Sequence, residues 1–291
     1  MKKILLVFLL WIGSLNIYPQ YSVDQPMSLI EVDGVSIAYT TSGEEENTPV
    51  LMIMGLMGSH KVWGEEIVNG LIDSGYRVIL FDNRDTGESE KLDRLGKPNL
   101  YWKFAMNYLG VNFSSPYTLS DMALDGLGVL DHLGIEEAHI VGASMGGMIA
   151  QTLAYEHPER VKSLVSIMST TGAPHLSQMS QRNEQNFRNA GEMDRERVHA
   201  FGFYPEAMPR QMTAIMKAGD RSQQVSSINV STLVQHGAND TLLPPDHGEH
   251  TAELIKGSEF KVYDNMGHNL PSSVLPTLLD DMIDFFRRVE G

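Results

Sequence analysis

The chain has 291 residues, enough for one large folded domain or two small ones. Its 37 acidic against 22 basic residues give a formal net charge of −15, which excludes a nucleic-acid partner and argues against an anionic membrane surface, since both need cationic neutralisation. With no cysteine, disulfides, thiolate nucleophiles and cysteine-held metals are excluded, and any covalent catalysis falls to Ser, Thr, Asp, Glu, Lys, His or Tyr.

The N-terminus differs from the rest of the chain. Lys2 and Lys3 precede an apolar run from Ile4 to Ile12, followed by Gly13 and Ser14. A basic start with a short apolar middle is the pattern of a secretory signal, and the run is shorter than the roughly 20 residues of a membrane span. Residues 1–22 are therefore expected to be a signal peptide and the mature chain to be exported, to the periplasm or beyond the cell. If retained, the segment would be a membrane anchor; once it is removed, no stable membrane insertion is expected. Its removal takes two lysines and no acid, leaving −17.

Beyond it, short apolar strands alternate with amphipathic helices. Residues 36–40 and 50–54 read as strands, 61–74 as a helix ending at Gly75, and 76–81 as a strand. A helix over 119–133, a strand over 138–143, a helix over 145–156 and a strand over 161–168 follow. Residues 173–229 break the rhythm, being polar and rich in Arg, Gln and Met. It resumes with strand 232–235, helix 247–255, strand 260–262 and helix 273–289. Such alternation predicts an α/β fold: a mostly parallel central sheet with helices on both faces. Residues 23–172 and 230–291 form its core, and 173–229 a small helical cap insertion. The cap carries seven basic and six acidic residues, so it is near neutral and the acidic excess lies in the core. No long exposed apolar stretch is evident that would act as a lid.

The chemistry centres on Gly142-Ala143-Ser144-Met145-Gly146. A G-x-S-x-G match is weak alone, but here an apolar strand enters it and a helix leaves it, as in a nucleophile elbow. The sharp turn strains the serine backbone, the glycines allow close approach of neighbouring chain, and the helix N-terminus aims free N–H groups at the same spot. A serine needs a base, and the base an orienting acid. Downstream, Leu233–Asp240 runs from a strand into a turn and delivers Asp240. About 28 residues later His268 sits in a loop between Gly267 and Asn269. For the oxyanion, the apolar strand 50–54 runs into Gly55-Leu56-Met57-Gly58, so the backbone N–H groups of Leu56 and Met145 are the expected donors.

Other polar residues take plainer roles. Asp82, Arg84, Gly87 and Ser89 form a turn fixed by hydrogen bonds; Asp121, Asp125 and Asp246 suit helix starts. His132, His139 and His157 read as structural and His236 as packed beside the acid turn, while His247 and His250 read as surface residues. No histidine pair has metal-ligand company, so neither a metal nor another cofactor is expected.

These motifs, with Phe81–Ser89, Pro116–Ala123, Val141–Gln151, His157–Arg160, Ser166–Gly172 and His236–Asp240, resemble the α/β-hydrolase superfamily. Within it they resemble the aclacinomycin methylesterase-like serine esterases, over nearly everything from residue 28 onward. The resemblance implies a carboxylic ester hydrolase working through an acyl-enzyme on Ser144, with a small-molecule ester as its partner. Two departures stand out: Met54 occupies the first position of the usual His-Gly oxyanion pair, and the cap is contracted around residues 175–195. Met57, Trp63, Phe201, Phe203 and Tyr204 are expected to line an adaptable apolar pocket, for a modest uncharged ester rather than a lipase substrate. The same residues would serve a perhydrolase, lactonase, acyltransferase or C–C hydrolase, and a ligand receptor on a retained scaffold is the alternative from another class.

Overall fold

The computed structural model describes residues 20–189 and 194–291. The expected signal peptide thus lies outside the described residues except for its last three positions, as do residues 190–193 of the expected cap. Tyr21 already belongs to the core: it is buried and exchanges backbone hydrogen bonds with the Asn69 side chain at 2.7 and 3.1 Å. The packed chain therefore begins at or before Tyr21, ahead of the expected boundary at residue 23.

Eight strands form one sheet: β1 (Ser28–Val32), β2 (Val35–Ser42), β3 (Thr48–Ile53), β4 (Tyr76–Phe81), β5 (Ala138–Ala143), β6 (Val161–Ile167), β7 (Thr232–Gly237) and β8 (Glu259–Tyr263). Their spatial order is β1-β2-β4-β3-β5-β6-β7-β8. The pairs from β4 to β8 are parallel, and β1 and β2 add an antiparallel edge. Strands such as Tyr76–Phe81 are buried along their whole length, as continuous apolar runs in a sheet covered on both faces must be. β1 is not among the expected strands, yet the sequence carries a signal for it. Asp33-Gly34, both at positive φ, is the two-residue turn of a β1–β2 hairpin.

One face of the sheet is covered by α1 (Gly64–Asp73) and α10 (Leu275–Glu290), the other by α3 (Leu119–His132) and α4 (Met145–Glu156). The expected helix over 61–74 divides at Gly64 into a 3-10 turn and α1. Thr118 and Asp121 close a reciprocal capping box at the start of α3, which ends that helix's frayed donors. Asp125 does not cap; it is fully buried and pairs with Arg84 at 2.7 and 2.8 Å. Between β4 and α3 the chain also forms α2 (Leu100–Tyr108), which is not among the expected elements.

Between β6 and β7 lie α5 (Gln181–Arg188), α6 (Arg195–Ala200), α7 (Met208–Ala218) and α8 (Ser222–Val225). Val225 and Ile228 join the core cluster beside α4, so the last part of the insertion packs as core. α9 (Asp246–Leu254) follows β7, and among the described residues no helix is long and apolar enough to cross a membrane. His247 is buried on it, bonded to Thr170 Oγ1 at 2.6 Å and Ser177 O at 2.9 Å, rather than lying at the surface. Asp246 accepts the Ser177 N–H at 2.8 Å and so ties the start of the insertion to α9.

His139 stacks on Phe286 and His236 lies beside the acid turn, both fully buried. Burial pushes both imidazoles below their ordinary titration range, because desolvation penalises the charged ring. The unfolded chain binds protons below about pH 6.5 that these folded sites refuse, so stability falls as pH drops through that value. Urea unfolding is expected to show a lower midpoint at about pH 5.5 than at about pH 7, with a smaller difference in His139→Gln. An equal or larger difference in that variant would contradict the assignment to His139.

Candidate active site

The parallel strands reverse their order of addition at β3 and β5, which lie side by side. At such a switch point the loops leaving neighbouring strands diverge and open a crevice. Both strands deliver candidate residues there. β5 ends at Ala143, and Ser144 takes φ 56° and ψ −120° before α4 begins. That conformation is costly for a residue with a Cβ, and the surroundings enforce it. A Cβ at Gly146 would lie 1.9 Å from the Ile53 carbonyl oxygen, and one at Gly142 2.2 Å from that of Gly146. Only glycine lets α4 start this close to β3. The turn is fastened by Ser144 N–H to Ile167 O at 2.9 Å and by the Ser169 hydroxyl to Ser144 O at 2.8 Å.

His268 lies in the loop after β8. Its Nε2 is 2.9 Å from Ser144 Oγ, and its Nδ1 is 2.6 Å from Asp240 Oδ2. The carboxylate can only accept, so the hydrogen sits on Nδ1 and the Nε2 lone pair faces the serine hydroxyl. Asp240 is buried, and its Oδ1 accepts the N–H groups of Leu242 and Leu243 at 2.8 and 3.0 Å. The acid turn and the histidine loop are joined by Asn239 N–H to Met266 O at 2.9 Å and by Asn239 Nδ2 to Asp264 O. The structure thus brings Ser144, Asp240 and His268 into one hydrogen-bonded chain drawn from three separate loops.

The loop after β3 closes the other side. A Cβ on Gly55 would lie 2.9 Å from Ala143 O and 3.0 Å from Ser144 Cβ, so Leu56 follows directly beside the serine. Among the described residues no acceptor is bonded to the Leu56 N–H. The Met145 N–H stands at the first position of α4, where a helix offers it no partner. Met54, at the departure from the usual pair, is buried in the core.

The expected pocket residues separate. Met57, at φ 63°, and Tyr204 meet where the insertion pairs with this loop: Tyr204 N–H to Met57 O and Ser59 N–H to Gly202 O are both 2.8 Å. Phe203 bridges Gly58, but its side chain is exposed, as is that of Phe201. Trp63 is buried within the α1–α10 core cluster and packs the scaffold instead.

Gln211 was not singled out by the sequence. Fully buried on α7, it accepts the Met57 N–H at 2.7 Å and donates to Arg84 O at 3.2 Å. It holds the residue after Leu56 and so positions that donor. Nothing local marks it; its bond spans 154 positions, and only its polarity on an apolar helix face hints at a partner. Beside it, Arg210 forks onto Asp85 at 2.8 Å through two nitrogens, and Tyr117 adds its hydroxyl to Asp85 at 2.6 Å.

Gln211→Leu is expected to lower kcat on a soluble ester roughly tenfold to a hundredfold with little change in KM, as loss of oriented oxyanion donors does. Gln211→Glu, which keeps the acceptor, is expected to recover part of the loss. Steady-state kinetics showing only a changed KM would contradict a positioning role.

Residues 48–212 match the family model described as alpha/beta hydrolase fold. The chain is 27% identical to rhodomycin D methylesterase DnrP of Streptomyces peucetius, over 86% of this chain and 94% of that one. Among solved structures it is similar to the enol-lactonase from Burkholderia xenovorans LB400, with a TM-score of 0.68 at 19% identity, covering 89% of this chain and all of that one. It is also similar to a thermophilic esterase from Thermogutta terrifontis, with a TM-score of 0.66 at 22% identity over 92% of this chain and all of that one. With its sheet order, its serine turn and a family match over more than half its length, the chain belongs to the α/β-hydrolase family.

Proposed function

We propose that the protein is a serine hydrolase that cleaves small, uncharged carboxylic esters through an acyl-enzyme. The reading rests on one observation above the others: the continuous Asp240–His268–Ser144 chain, with both links within hydrogen-bond reach. The similarity to a methylesterase over most of both chains supports the bond type.

In this mechanism Ser144 Oγ attacks the ester carbonyl carbon while His268 Nε2 takes its proton. Asp240 keeps the imidazole in the productive tautomer and stabilises the imidazolium. The carbonyl oxygen becomes an oxyanion held by the N–H groups of Leu56 and Met145, worth about 3 kcal/mol each. As the intermediate collapses, His268 returns the proton to the departing alkoxide, which leaves as the alcohol. Water then attacks the acyl-serine, giving its proton to His268, and the free acid departs as Ser144 is restored. The export expected from residues 1–22 belongs to the same proposal and places the enzyme outside the cytoplasm.

Ser144→Ala is expected to reduce kcat on p-nitrophenyl butyrate by about 10⁴-fold or more, and Asp240→Asn by about 10⁴-fold, with the fold retained by circular dichroism. A Ser144→Ala protein with full turnover would sink the proposal.

A further inference from the structure

The helix α2 is built inside out. None of its residues is buried. Tyr101, Trp102, Phe104 and Tyr108, with Leu109 and Val111 after it, turn large apolar side chains to solvent, Tyr108 at 91% exposure and Trp102 at 66%. Their spacing places them in two adjacent rows, 101-104-108 and 102-105-109, which is one face of a helix. Leu100, Lys103 and Met106, on the opposite side, are the half-covered ones. Isolated exposed apolar residues are ordinary, but a contiguous aromatic face marks a contact surface.

The charge around this face differs from the rest of the chain. From Arg94 to Ser120 there are three basic residues and no acid, in a protein of net charge −15. Arg94 is engaged with Glu90. Lys103 donates to Ser114 O at 2.8 Å with its ammonium over the Phe113 ring, and Lys217 reaches in from α7 to Asn112 Oδ1. Lys97 lies exposed just before the helix. Tyr and Trp rings settle where hydrocarbon meets headgroups, and the exposed Lys97 and Lys217 complement anionic headgroups. The whole-chain argument against an anionic membrane averages over a surface to which this segment is the exception.

We infer that α2 and the residues up to Val111 form an interfacial docking surface for a phospholipid bilayer bearing anionic headgroups. The helix lies in the plane of the interface with Trp102 at its apolar boundary. It follows β4, whose carboxyl end lies on the same side of the parallel sheet as that of β5, and it packs against α7 of the insertion, so docking turns the insertion's side of the molecule to the membrane. The inference stands independently of the chemistry at Ser144.

The test uses protein that begins at Gln20, ahead of the buried Tyr21 and without the N-terminal apolar segment, and carries Ser144→Ala, so that any ester bond in the lipid survives. It is mixed with vesicles of phosphatidylcholine and phosphatidylglycerol in equal parts, brominated along the acyl chains. Of its two tryptophans Trp63 is buried, so Trp102→Phe isolates the signal of α2. The expected result is quenching and a blue shift that are lost with Trp102→Phe, and reduced about tenfold in vesicle affinity, read through Trp102, by Tyr101→Ser with Phe104→Ser. Quenching absent from the parent, or unchanged by Trp102→Phe, would overturn the inference. So would a second copy on this face, seen as a dimer that Tyr101→Ser with Phe104→Ser dissociates without any lipid quenching of the parent.

Discussion

The candidate site depends on how closely two backbones approach where β3 and β5 end. Gly146 lets the first turn of α4 come so near the Ile53 carbonyl that any Cβ would collide with it. Because the helix starts there, Ser144 is forced to positive φ and its hydroxyl stands clear of the turn. The same contact sets the Met145 N–H beside the loop that carries Leu56. Side chains in this loop matter less than backbone, which is why Met54 is tolerated at the first position of the usual His-Gly pair.

Around that contact the loops are held by buried charge. Arg84 with Asp125, and Arg210 with Asp85, join the turn after β4 to α3 on one side and to α7 on the other. A buried ion pair adds little net stability over a well-packed apolar pair, yet removing one partner alone costs about 3–5 kcal/mol. Such pairs therefore specify one arrangement of insertion against core. Gln211 uses the same register: with Arg210 fixed on Asp85, the next side chain falls on the Met57 N–H.

What the sequence discloses follows from what its signals mean physically. Tyr76–Phe81, Ala138–Ala143 and Met145–Glu156 were legible to the residue, because a buried parallel strand is a short apolar run and Gly or a strained turn bounds it. Ser144, Asp240 and His268 were legible because each follows a strand end in loops of small and polar residues. α2 was not, since periodicity reveals which residues share a face but not whether protein covers it. Trp63 shows the converse: an aromatic residue near the site reads as pocket until packing places it in the core. Asp125 departs from the expected cap and His247 from the expected surface position because local sequence does not reveal the tertiary partners, Arg84 and Thr170, that accompany their burial. Gln211 and Arg210 lay beyond reach for the same reason, being defined by contacts more than a hundred positions away.

The central claim is that Ser144 carries the acyl group between two half-reactions. It is tested most directly by quenching a p-nitrophenyl butyrate reaction in acid within the first turnovers and weighing the peptide that contains Gly142–Gly146. A butyryl mass is expected on Ser144, formed as p-nitrophenol is released and lost as butyrate appears. Turnover with no acyl group on that peptide, or with the acyl group on another residue, would contradict it.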